Sequence, residues 1–529
     1  MADARTPVVL LPAEQLLREL LLECAEQFPD LDIWITGGWV RDRLLGIPSS
    51  DLDFALSNMT GRAFGGSLQE FTARSDIESK YRQKAADLGI PDSESRFTRF
   101  HIMEKNVGAA KNLETAGGKL FGLDIDLANL RTEVYDGQSR NPQMKFGTPE
   151  EDALRRDATV NSMFFHLRSR EVVDLSGRGL QDLDAKIMRT PLDPRQTFMD
   201  DPLRVLRLIR IGSKLGFAID SEAMHCMRSD EVQRALDSMI KRDRINLEVF
   251  KMMKDPAPAV AFQHLFDANL YTPVFLRLHS PLIPALRAQS PVLRRPSTSW
   301  PTPWPRAYHL LNHLLDDKTG SNLSHLVHSA HSNPEQAWTM AAYAPLADAR
   351  RSMARQLVRE ATDALKLPAK LTKLLEAALA NFDAIQGIAG TVAEGSRPLR
   401  STVGMAIRAW GPTWPAQVTY ALLAGVVYSD EGYEELSPLA GTVVGKYSAF
   451  ADFVAEEGLW EAHALRPCLD GNEVLELFGL RAGGRFLKDA LDGLVAWQFD
   501  HRDGGVEEAK VWLLGERVRL GVPLREGSG

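Results

Sequence analysis

Two aspartates separated by one residue, Asp51 and Asp53, carry the strongest chemical signal in the sequence. The stretch DLDFALS (51–57) has the pattern of a β-strand, so both carboxylates are predicted to point to the same face of a sheet. Two adjacent carboxylates repel each other unless a cation lies between them. Oxygen-only ligands favour Mg²⁺, and we expect two ions here, which can activate an attacking hydroxyl and stabilise a leaving pyrophosphate.

A glycine pair precedes the aspartates. Gly37 and Gly38 fall where the predicted strand DIWITG (32–37) ends and a helix begins, with Arg41 one turn later. Without Cβ atoms the backbone amides can approach phosphate oxygens, and the start of a helix favours negative charge. Either pattern alone arises by chance, but their order along the chain predicts a site for a nucleoside triphosphate.

The elements that position these residues are predicted to form an α/β unit with a short sheet. A helix over 13–27 is followed by strands over 32–37, 51–57, 123–131 and 161–167, with a helix over 40–46 after the first strand, and the unit ends near residue 175. Residues 67–112 are polar and weakly periodic, which indicates a long mobile insertion.

Helical spacing dominates the rest of the chain. It predicts helices over 200–217 and 242–254, a proline-rich loop over 291–306, and helices beyond. The apolar run VTYALLAGVVY (418–428) is shorter than the ~20 residues of a membrane helix and predicts a buried helix. The fold class is therefore an α+β head followed by an all-α remainder.

Composition is that of an ordinary soluble globular protein, with 44% hydrophobic and 25% charged residues among 529. Three scattered cysteines argue against a disulfide framework. A net charge of −8 discourages nucleic-acid binding, but residues 201–254 carry eleven Lys or Arg against eight Asp or Glu and are where RNA contact is expected.

Several longer stretches carry a family resemblance. GGWVRDRLLGIPSSDLDFAL, NLETAGGKLFGLDIDLANLRTEVY, FGTPEEDALRRDATVNSMFF and TFMDDPLRVLRLIRIGSKLGF resemble the motifs of tRNA nucleotidyltransferases, the CCA-adding enzymes of the polymerase-β-like superfamily. The resemblance is strong over 30–254 and is to the class with a helical body, in its eukaryotic form. It implies an N-terminal helix (1–30), a catalytic head (31–175), a helical neck that reads the base (176–275), and a helical body and tail that bind tRNA (276–529).

The resemblance also implies a nucleotide pocket. In RRDATVN (155–161), Arg156 is expected to bind the nucleotide, while Asp157 and Asn161 shape a ribose site. Arg155 is left between a binding role and an ion pair with Asp157. In DDPLR, Asp201 and Arg204 correspond to an amino-acid template for the base.

The template chemistry follows from the side chains. If Asp201 and Arg204 lie at i and i+3 of one helix, they share a face. A carboxylate only accepts hydrogen bonds and a guanidinium only donates them, which matches the amine and acceptor nitrogen of cytosine and adenine but not uracil or guanine. Arg207 and Arg210 follow at intervals of three and are expected to reach the triphosphate or support Arg204.

A third carboxylate is expected beside Asp51 and Asp53. Asp126 is the candidate for a third metal carboxylate and Asp124 the alternative, because both face the same side of their predicted strand. RDRINLE (242–248) resembles a family motif in which an arginine and a glutamate brace the helices, so Arg244 and Glu248 are expected to be structural. Asn112 stands where the family pattern has a histidine, which leaves complete CCA addition, CC addition and A addition all open.

The expected activity is addition of the 3′-terminal CCA, or part of it, to tRNA from CTP and ATP. Expected partners are the tRNA acceptor end and the two nucleotides, with no membrane and a monomer favoured. Alternatives are a poly(A) polymerase of the same superfamily and a non-catalytic RNA-binding relative. The start of the chain lacks a signal or transit pattern, which favours cytosol and nucleus, with mitochondrial import through an alternative start as a further expectation.

Overall fold

A seven-stranded mixed sheet organises the first part of the chain. The computed structural model describes residues 8–96, 98–103, 114–134, 143–294, 299–429 and 441–522. The strands are β1 (Ile33–Thr36), β2 (Asp51–Leu56), β3 (Thr98–Met103), β4 (Thr115–Leu120), β5 (Leu123–Asn129), β6 (Arg131–Val134), β7 (Gln143–Phe146), β8 (Met163–His166), β9 (Val172–Asp174), β10 (Ile187–Met188) and β11 (Ala218–Ile219). The order in the large sheet is β3-β4-β5-β2-β1-β8-β9, and β6–β7 and β10–β11 form separate pairs.

The sheet buries one face and presents the other. Strand β2 lies between β1, to which it is antiparallel, and β5, to which it is parallel. Along β2 the alternation buries Leu52 and Phe54 beneath a helix-covered face. The first residue of that covering helix, Gly61, approaches β5 so closely that a Cβ there would lie 1.8 Å from the carbonyl oxygen of Leu127. The opposite face of β2 and β5 therefore carries the polar side chains.

Among the described residues of this part of the chain, eleven α-helices begin. They are α1 (Pro12–Ala25), α2 (Gly38–Leu44), α3 (Gly61–Thr72), α4 (Ser75–Asp87), α5 (Pro149–Leu154), α6 (Gly179–Ala185), α7 (Pro194–Asp200), α8 (Leu203–Leu215), α9 (Ser221–Met227), α10 (Asp230–Met239) and α11 (Arg242–Lys254). The predicted α+β head is confirmed. The region after it is helical except for the two-residue parallel pair β10–β11, which was not predicted.

The chain divides into two compact units, Met1–Met252 and Met253–Gly529. The described residues of the second unit form helices only: α12 (Pro258–Asp267), α13 (Tyr271–Phe275), α14 (Leu282–Gln289), α15 (Pro291–Arg294), α16 (Trp304–Asp316), α17 (Asn322–His331), α18 (Pro334–Tyr343), α19 (Ala354–Leu365), α20 (Ala369–Ala393), α21 (Arg400–Trp410), α22 (Trp414–Tyr428), α23 (Thr442–Glu456), α24 (Gly471–Phe478), α25 (Arg485–Asp500) and α26 (Val506–Gly515). The domain boundaries at 30, 175 and 275 stay predictions.

The prediction of a mobile insertion over 67–112 is wrong for the part that the structure describes. The end of α3, all of α4 and β3 occupy it. In α4 the apolar residues Ile77, Tyr81 and Ala85 recur every four residues and are buried, but the polar residues between them masked the period. The Tyr81 hydroxyl also donates to Glu23 at 2.6 Å, which joins α4 to α1. Asn112 lies outside the described residues.

The proline-rich segment 291–306 is also more regular than predicted. Helix α15 begins at Pro291, and α16 begins at Trp304 with Pro305 in its first turn. Proline is tolerated there because the first amides of a helix have no intrahelical acceptor. The predicted buried helix at 418–428 is confirmed as part of α22. No helix within the described ranges is both long and apolar enough to cross a membrane.

Candidate active site

Four aspartates line the exposed face at the centre of the sheet. Because β2 and β5 pair in parallel, Asp51 lies opposite Asp124 and Asp53 opposite Asp126. Leu52 and Ile125 between them are buried, so the period of two directs all four carboxylates to one side. The predicted placement of Asp51 and Asp53 on one face is therefore present in the fold.

Burial and mutual repulsion raise the pKa of two of these carboxylates. Partial burial, together with the charges of Asp126 and Asp124, raises the pKa of Asp51. Partial burial and the charge of Asp51 raise the pKa of Asp53, although Arg156 opposes the shift. Both side chains stay accessible to solvent. A divalent cation would relieve this repulsion, so the donor set fits such an ion.

The side chains do not yet converge on one point. Among the described residues, no group of three or more His, Cys, Asp or Glu side chains is arranged to hold a metal ion. The pair Asp51 and Asp53 is thus an all-oxygen donor set spread along one strand rather than a finished cage.

The glycine pair lies beside the carboxylates. Gly37 immediately precedes α2 with φ of +74°, a left-handed conformation that favours glycine. A Cβ on Gly37 would lie 3.3 Å from Nη1 of Arg156 and 3.5 Å from Oδ2 of Asp53. A Cβ on Gly38 would lie 3.3 Å from Nη2 of Arg41. The bare backbone therefore faces two arginines and one of the metal-ligand candidates.

Arg41 connects α2 to the predicted ribose site. Its side chain is buried, and Nη1 donates to Oδ1 of Asn161 at 2.5 Å. The amide of Asn161 in turn donates to Oδ1 of Asp157 at 2.9 Å. Because Arg41 also bonds Asp42 at 2.8 Å, its charge is neutralised within the protein. Arg41 thus holds Asn161 in place as well as lying near the glycines.

Arg156 is held in place by a buried carboxylate, that of Asp152. Its Nη2 donates to Oδ2 of Asp152 at 2.7 Å, and its guanidinium lies 5.1 Å from the centre of the Phe164 ring. Arg155 also donates to Asp152, through Nε at 3.0 Å. The two arginines lower the pKa of Asp152 against the opposing effect of its burial. Arg155 thus pairs with Asp152 and not, as considered from the sequence, with Asp157, while Arg156 extends towards Gly37.

Asp157 links the head to α8. Oδ2 of this buried carboxylate accepts from Nε of Arg207 at 2.7 Å. Despite its burial, the charge of Arg207 and the Asn161 amide hold the pKa of Asp157 well below its ordinary value. Arg207 lies 4.0 Å from Glu248, which accepts from Nε of Arg210 at 2.6 Å. A continuous polar chain therefore runs from α2 through Asp157 to α8 and α11.

The expected placement of Asp201 and Arg204 on one helix is wrong. Helix α7 ends at Asp200 and α8 begins at Leu203, so Asp201 lies in the break between them with an extended backbone. Pro202 has no amide proton to continue the first helix. Oδ1 of Asp201 instead accepts from the amide of Leu203 at 3.2 Å and so caps α8.

Both members of the predicted template have protein partners. Oδ2 of Asp201 accepts from Nη2 of Arg244 at 3.0 Å. Arg204 is buried, and its Nη1 donates to the carbonyl oxygen of Thr197 at 3.3 Å. The α7–α8 break therefore brings a carboxylate and a guanidinium to one end of α8, with Arg244 and Glu248 of α11 bracing it.

Asp126 is better placed than Asp124 as a third carboxylate. Asp126 pairs with Asp53 and raises the pKa of both Asp51 and Asp53, whereas Asp124 acts on Asp51 alone. On its other side Asp126 lies opposite Gly117 of β4. A Cβ on Gly117 would be 2.3 Å from Oδ1 of Asp126 and 3.1 Å from Nε2 of His101. A glycine is needed there for Asp126 and His101 to share the space.

Lys251 of α11 is a candidate site residue that sequence reasoning missed. Its positive charge opposes the upward pKa shift of Asp51. It follows Glu248 by three residues and Arg244 by seven, so all three share one face of α11. That spacing was the available signal.

Known proteins resemble this chain over the region that holds the candidate site. Residues 33–189 match the family described as the poly A polymerase head domain. The chain is 32% identical to nucleotidyltransferase lcsQ of Purpureocillium lilacinum, over 99% of this chain and 94% of the relative. It is 32% identical to tRNA nucleotidyltransferase cca2 of Schizosaccharomyces pombe, over 91% and 92%. It is also 32% identical to the mitochondrial CCA tRNA nucleotidyltransferase of Saccharomyces cerevisiae, over 90% and 87%.

Solved structures share the fold across the whole chain. A CCA-adding enzyme in complex with CTP superposes with a TM-score of 0.60 at 17% identity, covering 97% of this chain and 96% of that one. The Thermotoga maritima CCA-adding enzyme complexed with tRNA gives 0.58 at 15% identity, covering 96% of each chain. At such identities the likeness concerns the fold.

Proposed function

The chain belongs to the tRNA nucleotidyltransferase family, and from this we propose that it adds the 3′-terminal CCA to tRNA from CTP and ATP without a nucleic-acid template. One observation carries the proposal. The polar chain of the first unit joins the glycines and aspartates of the sheet to the α7–α8 break, where Asp201 and Arg204 lie. A nucleotide can thus meet phosphate-binding and base-reading groups that one chain of hydrogen bonds connects.

Asp201 and Arg204 read the base by hydrogen-bond polarity. Asp201 accepts from the exocyclic amine of cytosine or adenine, and Arg204 donates to the ring nitrogen. To do so, Asp201 exchanges its bond with Arg244 for one to the base. With uracil or guanine, the acceptor Asp201 would face another hydrogen-bond acceptor and the donor Arg204 would face another donor. The unpaired groups discriminate against these bases more strongly than a difference in size would.

The carboxylates Asp51 and Asp53 hold the metal. The family uses a divalent metal ion, and we propose two Mg²⁺ ions, with Asp126 as a third carboxylate. When bound, the ions supply positive charge to the reacting phosphate. The oxygen of the tRNA 3′-hydroxyl attacks the α-phosphorus and its proton passes to solvent; a P–O bond forms, and the bond to the bridging oxygen breaks with its electron pair leaving on pyrophosphate. Arg156 and the Gly37 backbone orient the phosphates, and Asp157 and Asn161 define the ribose position.

The tRNA acceptor end is the proposed partner, and the Thermotoga maritima structure complexed with tRNA supports it. Recognition of a stem relies on its shape, backbone and 2′-hydroxyls. A monomer is proposed. The Saccharomyces cerevisiae relative is mitochondrial by name, which supports a mitochondrial role beside the cytosolic and nuclear ones proposed from the sequence.

The alternatives differ in product. A CC-adding or A-adding enzyme would have the same site. These two alternatives are considered because Asn112 stands where the family pattern has a histidine. A poly(A) polymerase is raised by the name of the head-domain family, but relatives matched along about nine-tenths of the chain or more are named for tRNA nucleotidyl transfer. A non-catalytic relative would have no reason to retain the crowded carboxylates.

A single-turnover assay distinguishes these products. Three tRNA transcripts, ending at the discriminator base, at C and at CC, each receive CTP, ATP or both. We expect the first to be completed to CCA and extended no further. Stopping at CC would identify a CC-adding enzyme, activity only on the CC-ending transcript an A-adding enzyme, and a long homopolymer a poly(A) polymerase. No incorporation under any condition would refute catalysis.

Replacing Asp126 tests the third carboxylate. Asp126→Asn is expected to lower the rate of nucleotide addition by about 100-fold or more, because a metal-bound oxygen loses its charge. Asp124→Asn should lower the rate by less than about fivefold, since Asp124 lies next to Asp51 but away from Asp53. The measurement is single-turnover CTP incorporation. Equal losses of rate in the two variants would refute the assignment of Asp126 as the third metal carboxylate.

Gly117 offers a second route to the same carboxylate. The Cβ in Gly117→Ala would be 2.3 Å from Oδ1 of Asp126 and must displace it, so the rate should fall at unchanged nucleotide affinity. Gly66→Ala is the matched control, because nothing lies within 4 Å of its added Cβ. Full activity of Gly117→Ala would show that the position of Asp126 does not matter.

A further inference from the structure

One face of α11 carries three charged residues and contacts polar groups of the site. Arg244, Glu248 and Lys251 follow one another at intervals of four and three, so their side chains form one stripe. The helix is unbroken from Arg242 to Lys254. The three residues are therefore stacked along it in fixed order.

The first two members of the stripe fix where it faces. Arg244 donates to Asp201 at 3.0 Å, at the base-reading end of the site. Glu248 is buried, accepts from Arg210 at 2.6 Å, and lies 4.0 Å from Arg207. Since Arg207 binds Asp157 beside the proposed ribose position, the stripe advances from base towards ribose as α11 proceeds.

Lys251 comes next, one turn further along. Its charge acts on Asp51, just as the charge of Arg207 acts on Asp53. Lys251 is exposed, and within the described residues no hydrogen bond or ion pair engages its ammonium group. A cation thus stands at the carboxylate end of the stripe, available to a ligand.

We propose that Lys251 binds the β- and γ-phosphates of the incoming nucleoside triphosphate and the pyrophosphate that leaves. The proposal rests on the proposed function for the direction of the nucleotide, with its base at Asp201 and its phosphates at Asp51 and Asp53. As the bond from the α-phosphorus to the bridging oxygen breaks, negative charge collects on the leaving pyrophosphate. A lysine on a flexible stem can follow that charge as a point cation.

Lys251→Met tests this contact, with Lys254→Met as the matched control. Lys254 lies three residues further on the same helix and pairs with Glu335 at 2.6 Å. Binding of CTP and CMP, and inhibition by inorganic pyrophosphate, are measured for each variant. Lys251→Met should weaken CTP and pyrophosphate binding by about 10- to 100-fold and leave CMP unchanged, because only the former two present the terminal phosphates. Lys251→Arg should recover part of the loss.

Kinetics separate this role from the rival ones. The KM for CTP and for ATP should rise together in Lys251→Met, with the KM for tRNA and the preference for CTP over UTP unchanged. A raised KM for tRNA with normal CTP binding would place Lys251 on the RNA backbone and overturn the proposal, as would a variant identical to the wild type. If the wild type adds no nucleotide at all, the proposed function fails, but the ratio of CTP to CMP affinity still decides the role of Lys251.

Discussion

Asp53→Asn is expected to abolish nucleotide transfer, with a loss of at least about 10⁴-fold in single-turnover rate. Asparagine keeps the size of the side chain, which lies close enough to Gly37 that a Cβ there would be 3.5 Å from Oδ2. It removes the negative charge that holds the metal ions beside the reacting phosphate. Binding of tRNA should change little, because Asp53 lies at the sheet rather than on a basic surface.

The same variant should be at least as stable as the wild type. The raised pKa of Asp53 means that its ionised form is disfavoured in the folded protein, mainly by partial burial and by Asp51. Removing that charge lifts the repulsion, so the free energy of unfolding at neutral pH should rise or stay level. A residue that lowers the free energy of unfolding but is required for activity is expected at a functional site.

Thermal unfolding and single-turnover incorporation measure these two effects on one preparation. Asp87→Asn, a change of the same kind on the exposed face of α4, serves as the control and should behave as the wild type in both. Residual transfer above about one part in a hundred in Asp53→Asn would contradict a metal-ligand role.

Asp201→Asn is expected to reduce the preference for CTP over UTP by about 100-fold. A carboxylate can only accept hydrogen bonds, but an amide presents both a donor and an acceptor, so it can also face the carbonyl oxygen of uracil. The main change should be a gain in UTP incorporation rather than a loss of CTP incorporation. Parallel single-turnover assays with each nucleotide on a tRNA ending at the discriminator base give the ratio.

The structure dictates the choice of asparagine rather than alanine. Oδ1 of Asp201 caps α8 by accepting from the Leu203 amide at 3.2 Å, and alanine would lose that bond at a cost of about 1 kcal/mol. Asparagine keeps an oxygen in that position, so base selection and stability are separated. Asp243→Asn, in the first turn of α11, is the matched change of charge. Unaltered rejection of UTP by Asp201→Asn would refute the template.

The metal-ligand pair and the helix and strands around it could be predicted from the sequence. Asp51 and Asp53 share a face because strand residues alternate, and that alternation needs no knowledge of the rest of the fold. The α11 helix was predicted at its observed bounds, 242–254, since its apolar period and polar flanks are local signals. The family motifs then added expected roles for Arg156, Asp157, Asn161, Asp201 and Arg204.

The same local signals misled where long-range contacts decide the structure. The helices α3 and α4 have few apolar residues, and their stability comes from packing against the sheet and α1, as the contact between Tyr81 and Glu23 illustrates. A helical period continues through residues 200–217, yet Pro202 and the cap from Asp201 divide it into α7 and α8. Propensity could not decide between these outcomes.

The sequence by itself determined which residues could do the chemistry: the aspartate pair, the glycines and the arginines that follow at regular spacing. Only the tertiary structure decided how they connect. It joined Arg41 to Asp157 through Asn161, favoured Asp126 over Asp124 by strand register, and brought Lys251 to the carboxylates. Alternation and helical period are properties of neighbouring residues, whereas strand register and the bonds that link Arg41, Asn161, Asp157 and Arg207 join separate segments of the chain, whose distances are set only when the chain folds.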